Sequence, residues 1–261
     1  MNEKLKKLKK YLASLGSVAV SFSGGVDSTF LLKVAHDTLS DNAVAVTAHS
    51  PSFPKRELDE AKAFCEKENI KHIIVESEML FNDEFVKNPR NRCYLCKTEM
   101  FGKMWEKINE LGIDNLVEGS NVDDCDDYRP GLIATAEQKV KSPLRFAGFT
   151  KSEIRELSKN MSLPTWEKPS FACLLSRFVY GETITEEKLS MVDKAEQYLL
   201  DLGFGQVRVR IHGKMARIEI ERREFEKMLK ASEDVYNYLK SLGFTYISLD
   251  LSGYRMGSMN E

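Results

Sequence analysis

The chain has 261 residues, enough for one large domain or for an ordinary domain with a small one attached. Hydrophobic residues make up 42%, so a normal core is available, and 38 Lys plus Arg nearly balance 40 Asp plus Glu for a net charge of −2. That balance disfavours a dedicated nucleic-acid binder, which needs a basic surface, and no apolar run approaches the roughly 18 residues of a membrane span.

The opening residues, MNEKLKKLKKYLASLG, are basic but lack the uninterrupted apolar stretch of a signal peptide. Leu5, Leu8, Leu12 and Leu15 recur at helical spacing among lysines, which predicts an amphipathic surface helix on a cytoplasmic protein. Strands are predicted at 17–22 (SVAVSF), 43–48 (AVAVTA), 72–76 (HIIVE) and 115–118 (NLVE). Helices are predicted between them, at about 28–35, at 56–68 and at 97–111, the last with Met100, Met104, Ile108 and Leu111 on one face. Such alternation predicts an α/β fold with an open parallel sheet and helices on both of its faces. Residues 119–185 read as irregular polar loops apart from a helix at 151–160.

The pattern then changes. Residues 186–202 are helical, with Leu189, Val192, Leu199 and Leu200 apolar, and 206–212 and 215–221 alternate around a hairpin turn at His212-Gly213-Lys214. A further helix and a strand at 245–251 complete a small α+β unit. The boundary falls near 165–185, dividing a nucleotide domain at 1–170 from a substrate-binding or oligomerisation domain at 171–261.

The segment Ser21-Phe22-Ser23-Gly24-Gly25-Val26-Asp27-Ser28 follows the first strand and opens a helix. Two glycines let the backbone approach an anion and adopt positive φ. The helix start supplies N–H groups and a positive dipole end, and Ser23 and Ser28 add hydroxyls. Asp27 is an odd neighbour for phosphate unless Mg²⁺ lies between them. Gly-Gly and Asp are also ordinary turn residues. Neither the G-x-x-x-x-G-K-[ST] nor the G-x-G-x-x-G pattern is present.

SFSGGVDS resembles the PP-loop of the ATP pyrophosphatases, such as GMP synthetase, NAD synthetase and the tRNA thiolases. The resemblance implies cleavage of ATP between its α and β phosphates, with pyrophosphate held by the loop and AMP passed to a substrate oxygen. It makes Ser21, Ser23, Gly24, Gly25, Val26, Asp27 and Ser28 ligands of ATP and its Mg²⁺. Gly119, Asn121 and Asp123, after the fourth strand, join them because open α/β sheets place ligands at strand C-terminal ends.

Further segments narrow the resemblance: EGSNVDD at 118–124, SPL at 142–144, PSFACLLSRF at 169–178, YGETIT at 180–185, and RVRIHG with ARIE at 208–219. Together they resemble the LarE family, ATP-dependent sulfur transferases that build the nickel-pincer nucleotide cofactor. The family reaction adenylates each carboxylate of pyridinium-3,5-biscarboxylic acid mononucleotide and converts it to a thiocarboxylate. In its sacrificial form the sulfur comes from the cysteine matching Cys173, which becomes dehydroalanine. The resemblance also suggests a homo-oligomer and gives no sulfide donor.

The chain has five cysteines, an odd number, so metal or catalytic use is a better reading than structural disulfides in a cytoplasmic protein. Cys93 and Cys96 form a C-x-x-C just ahead of a predicted helix, a feature the sacrificial pattern does not require. Three thiolates, from Cys93, Cys96 and Cys173, suit a [4Fe-4S] cluster with one open iron that carries sulfide. A zinc site that adds Cys125, a redox pair, or no link to Cys173 are the alternatives. Cys65, with Leu58 and Ala61, reads as core, and the four histidines show no metal-ligand spacing.

Arg208 and Arg210 alternate onto one strand face and suit the substrate phosphate, while Arg177 suits a carboxylate or phosphate. A solvated face or a salt bridge explains the same residues. Glu219 and Glu221 also share a side, as metal ligands or as partners of the arginines. A tRNA thiolase is the rival enzyme, and an ATP-sensing binding protein the rival of another class.

Overall fold

The computed structural model describes residues 2–125, 130–169 and 173–255. In chain order the elements are α1 (Asn2–Leu15), β1 (Val18–Ser21), α2 (Val26–Leu39), β2 (Ala43–His49), α3 (Lys55–Lys67), β3 (His72–Glu76), α4 (Asp83–Val86), α5 (Arg92–Asn109) and β4 (Leu116–Val117). There follow α6 (Pro130–Glu137), α7 (Pro143–Ala147), α8 (Lys151–Asn160), α9 (Glu186–Asp201), β5 (Arg208–His212), β6 (Met215–Glu219), α10 (Phe225–Lys230), α11 (Ser232–Ser241) and β7 (Tyr246–Leu249). They form two compact units, residues 1–79 with 91–171, and residues 80–90 with 172–261.

The first unit is built on a parallel sheet in the order β3-β2-β1-β4. Its central strands are apolar on both faces because both faces are covered, as parallel sheets require. Val18, Val20, Ala43 and Ala45 join Phe30, Leu31, Leu144 and Ile154 in one core. Ala19, Val44 and Val46 alternate onto the other face, against Phe101, Met104 and Ile108 of α5. The leucine stripe of α1 does what its spacing predicts: Leu8 and Leu12 are fully buried, with Leu5 and Leu15 packed beside them.

The mixed sheet of the second unit has the order β5-β6-β7, with β5 antiparallel and β7 parallel to β6. The hairpin turn uses Gly213 at φ +59°, in the left-handed region that glycine tolerates. Phe178 forms a parallel bridge to Ile211, so the chain just after Cys173 runs along the outer edge of β5. Segment 80–90 is tied in by Asn88, whose Nδ2 donates to the Val179 carbonyl at 2.6 Å, and by the Ile184 N–H, which donates to the Val86 carbonyl at 2.8 Å.

Three local expectations are corrected. The helix expected from 97 starts at Arg92 and ends at Asn109, which places the C-x-x-C inside it and leaves Leu111 exposed beyond it. The stretch expected to be irregular contains α6 and α7, short helices too brief for an apolar period to show. The single helix expected before the last strand is two, α10 and α11. Among the described residues no helix is long and apolar enough to cross a membrane.

Candidate functional site

β1 ends at Ser21 and α2 begins at Val26, so the loop between them lies at the C-terminal end of a central parallel strand. The loop is held by its own hydroxyls. The Ser23 N–H donates to Ser28 Oγ at 3.3 Å, the two serine hydroxyls are 3.1 Å apart, and Ser28 Oγ donates to the Gly25 carbonyl at 3.2 Å. Gly24 adopts φ +67°, and Gly25 caps α2 without a side-chain acceptor. The first N–H groups of α2, with the positive end of its dipole, therefore face the loop as an anion cradle.

The turn after β4 closes on this cradle. A Cβ built on Gly119 would lie 3.0 Å from the Ser28 nitrogen and 3.3 Å from Asp27 Cβ, so only glycine lets the two segments approach this closely. Asn121, almost fully buried, donates from Nδ2 to Asp27 Oδ1 at 3.3 Å. Asp123 accepts the Lys151 N–H at 2.8 Å and donates its own N–H to Asn121 Oδ1 at 2.9 Å. The structure thus brings Asp27, Asn121 and Asp123 together with the loop.

Sequence reasoning missed two lysines. Lys151, the first residue of α8, ion-pairs through Nζ with Asp27. The Asp27 carboxylate thus faces a cation of the chain itself. The Thr150–Glu153 capping box marks this helix start in the sequence, but nothing there aims Lys151 at an aspartate 124 residues away. Lys168 donates to the Gly24 carbonyl at 3.3 Å and pairs with Glu57 at 2.7 Å and Glu60 at 2.6 Å.

Nearby, Thr47 donates to the Phe22 carbonyl at 2.7 Å and lies 2.8 Å from His72 Nε2. Burial, with the nearby Lys62 charge, lowers the His72 pKa and so favours the neutral ring.

Cys93 is exposed and Cys96 half-buried, three residues apart in the first turns of α5, so their thiols share one helix side. Cys65 is buried in the core, its thiol pKa pushed up to about 12 by burial. The side chain of Cys125 lies outside the described residues. Among the described residues no three His, Cys, Asp or Glu side chains are grouped to hold a metal ion.

In the second unit Cys173 is exposed and starts the short turn Leu174–Arg177. Its carbonyl accepts the Ser176 N–H at 2.9 Å and Arg177 Nη1 at 3.4 Å. Arg177 is fully buried and makes a two-pronged pair with Glu196, Nε to Oε1 at 2.7 Å and Nη2 to Oε2 at 2.8 Å. The Val209 N–H completes that carboxylate at 2.8 Å. Arg210 forks onto Glu219 in the same way, at 3.1 and 2.9 Å, and also reaches the Ser176 carbonyl. Arg208 donates to the Val207 carbonyl at 2.7 Å. Burial, helped by the neighbouring Arg177 and Arg210 charges, lowers its pKa to about 10, so it stays protonated at pH 7. The arginines expected on a strand face are thus buried side chains of a charge network around the Cys173 turn.

A family model described as NAD synthase matches residues 1–94. The chain is 40% identical over 263 residues to an uncharacterized protein of Synechocystis sp., covering 100% of this chain and 98% of that one. It is 38% identical over 255 residues to the pyridinium-3,5-bisthiocarboxylic acid mononucleotide synthase of Lactiplantibacillus plantarum, covering 96% and 91%. An uncharacterized protein of Methanocaldococcus jannaschii is 30% identical over 258 residues, covering 97% and 98%.

Proposed function

The chain belongs to the PP-loop ATP pyrophosphatases, in the family of adenylating sulfur transferases that includes the pyridinium-3,5-bisthiocarboxylic acid mononucleotide synthase, and from that premise we propose that it performs this synthesis. The substrate is pyridinium-3,5-biscarboxylic acid mononucleotide. A substrate carboxylate oxygen attacks the α-phosphorus of ATP and displaces pyrophosphate. The acyl adenylate then meets a sulfur nucleophile at its carbonyl carbon, AMP leaves, and a thiocarboxylate remains. The observation that carries this reading is the Ser23–Ser28 cradle closed by Gly119 and Asn121, in a chain 38% identical to that synthase.

Ser21, Ser23, Gly24, Gly25, Val26 and Ser28 receive the β and γ phosphates through N–H and hydroxyl donors. Asp27 would hold Mg²⁺, which when bound would offset phosphate charge, with Asn121 and Asp123 fixing the carboxylate's surroundings. Lys151 then turns its charge toward the pyrophosphate, where negative charge develops on bond cleavage. In the second unit Arg208 receives the mononucleotide phosphate: a buried guanidinium whose protonation is disfavoured gains most from an anion. Arg177 and Arg210 shape that site through Glu196 and Glu219.

For the sulfur step we propose Cys93, Cys96 and Cys173 as the thiolates of a [4Fe-4S] cluster. The pairing of two thiols on one side of α5 supports this donor set. When bound, such a cluster supplies an open iron that carries the transferable sulfide. The second reading is favoured by the exposure of Cys173 and the fixing of its carbonyl. There, Cys173 Sγ attacks the acyl adenylate and releases AMP. Loss of the Cα proton then breaks Cβ–Sγ, leaving dehydroalanine. A tRNA substrate is disfavoured by the net charge of −2.

The test is an anaerobic reaction with ATP, Mg²⁺, sulfide and the biscarboxylic mononucleotide. Pyrophosphate release that requires the mononucleotide, with thiocarboxylate formed, supports the function. ATP binding without turnover refutes it. Intact-mass analysis separates the sulfur sources: an unchanged chain that delivers several sulfurs supports the cluster, and loss of H₂S at residue 173 with at most one sulfur per chain supports the sacrificial cysteine.

A further inference from the structure

The peptide between Gly24 and Gly25 has glycine on both sides. A peptide flip changes ψ of the first residue and φ of the second, and neither glycine carries a Cβ to oppose it. The plane is nonetheless fixed in one sense, because the Gly24 carbonyl accepts from Lys168 Nζ at 3.3 Å. In a planar trans peptide the carbonyl and the following N–H point in opposite directions. With the carbonyl turned to Lys168, the Gly25 N–H is turned away from it.

Lys168 is itself anchored. Its side chain is only 15% exposed, and it is balanced by Glu57, which is buried, and Glu60, which is exposed. Gly24 packs on the same turn of α3, where an added Cβ would meet Ala61 Cβ and the Glu57 carbonyl at 3.5 Å. The strap that carries Lys168 is pinned in turn by Arg155 of α8, whose guanidinium donates to the Trp166 carbonyl at 2.6 Å and the Lys168 carbonyl at 2.8 Å. Lys159, also on α8, covers the Trp166 ring at 4.4 Å. These contacts hold the ammonium on a carbonyl of the loop.

We infer that Lys168 is a positioning residue for ATP cleavage: it locks the Gly24–Gly25 peptide so that the Gly25 N–H faces the pyrophosphate. This deepens the proposed function and rests on the loop being the pyrophosphate site. Without the lock the peptide turns freely, a donor is lost, and a carbonyl oxygen can face the phosphates instead. Lys168 acts through the peptide and need not touch the nucleotide.

The experiment uses the full chain with inorganic pyrophosphate and Mg²⁺ as the probe, followed by calorimetry and by the ¹⁵N–¹H resonance of Gly25. In the wild type the Gly25 resonance is expected to shift as pyrophosphate saturates. Lys168→Met is expected to weaken pyrophosphate binding by roughly ten- to a hundredfold, the range for losing one hydrogen bond to a charged group. AMP affinity should hold, the Gly25 shift should vanish, and Lys168→Arg should restore both. Unchanged pyrophosphate affinity in a folded Lys168→Met variant would overturn the inference. So would a Gly25 resonance that stays still in the saturated wild type, which decides the matter even if Lys168→Met does not fold. Failure of the wild type to bind pyrophosphate at all would instead count against the loop as the ATP site.

Discussion

Adding one methyl group at Gly119 tests how closely the cradle depends on its neighbour. The new Cβ of Gly119→Ala would lie 3.3 Å from Asp27 Cβ, about 0.2 Å inside the ~3.5 Å near end of the optimal contact range between carbons. It would also lie 3.0 Å from the Ser28 nitrogen. These are atoms of the first turn of α2 and not the ends of flexible side chains, so the loop itself must move. Overpacking of this kind costs about 1–3 kcal/mol. The displaced groups are those proposed to hold pyrophosphate and Mg²⁺, so we expect mononucleotide-dependent pyrophosphate release to fall about tenfold or more, the factor that corresponds to 1.4 kcal/mol. Steady-state pyrophosphate assays at saturating mononucleotide, with urea unfolding alongside, measure both effects. A Gly119→Ala enzyme with wild-type kcat/KM for ATP would refute the close approach as a functional feature.

Asp27→Asn is expected to abolish mononucleotide-dependent pyrophosphate release while leaving the chain folded, and unchanged release would remove the loop from the mechanism. Arg177→Met leaves the Glu196 carboxylate buried without its two-pronged partner, a loss of about 3–5 kcal/mol for breaking such a pair. An unfolding free energy from urea titration that changes by less than about 1 kcal/mol, the value typical of an exposed pair, would contradict the burial argument. Glu153 is held to a pKa of about 2, first by the hydrogen bond from Lys4 and then by the Thr150 backbone N–H. Because that value lies below the ordinary ~4.3 of an unfolded glutamate, its stabilisation is present above that pH and fades as pH falls toward 2. The gap in melting temperature between wild type and Glu153→Gln should therefore narrow from pH 6 to pH 3, and a constant gap would argue against it.

The parallel sheet was legible because strands buried on both faces read as apolar runs, and the runs at 17–22, 43–48 and 72–76 fall on β1, β2 and β3. The helix expected at 151–160 is α8, and the structure shows a Thr150–Glu153 capping box at its start. By contrast, α6 and α7 have 8 and 5 residues, too few turns for a period to emerge. The cradle could be read because its geometry is local: Ser28 bonds to both Ser23 and Gly25 within one short loop. Lys151 and Lys168 could not, since they reach Asp27 and Gly24 across more than a hundred residues of chain. The arginines show a different limit. Period-two spacing places Arg208 and Arg210 on one strand face, but it cannot tell that the chain around Phe178 covers the edge of β5 and that both side chains are buried.

The most direct measurement follows the carboxylate oxygen. With the biscarboxylic mononucleotide labelled with ¹⁸O in its carboxylates, attack on the α-phosphorus and later departure of AMP must carry one labelled oxygen into the phosphate of AMP. The account predicts AMP bearing a single ¹⁸O, formed together with pyrophosphate and thiocarboxylate. Unlabelled AMP, or ADP and phosphate in place of AMP and pyrophosphate, would contradict it.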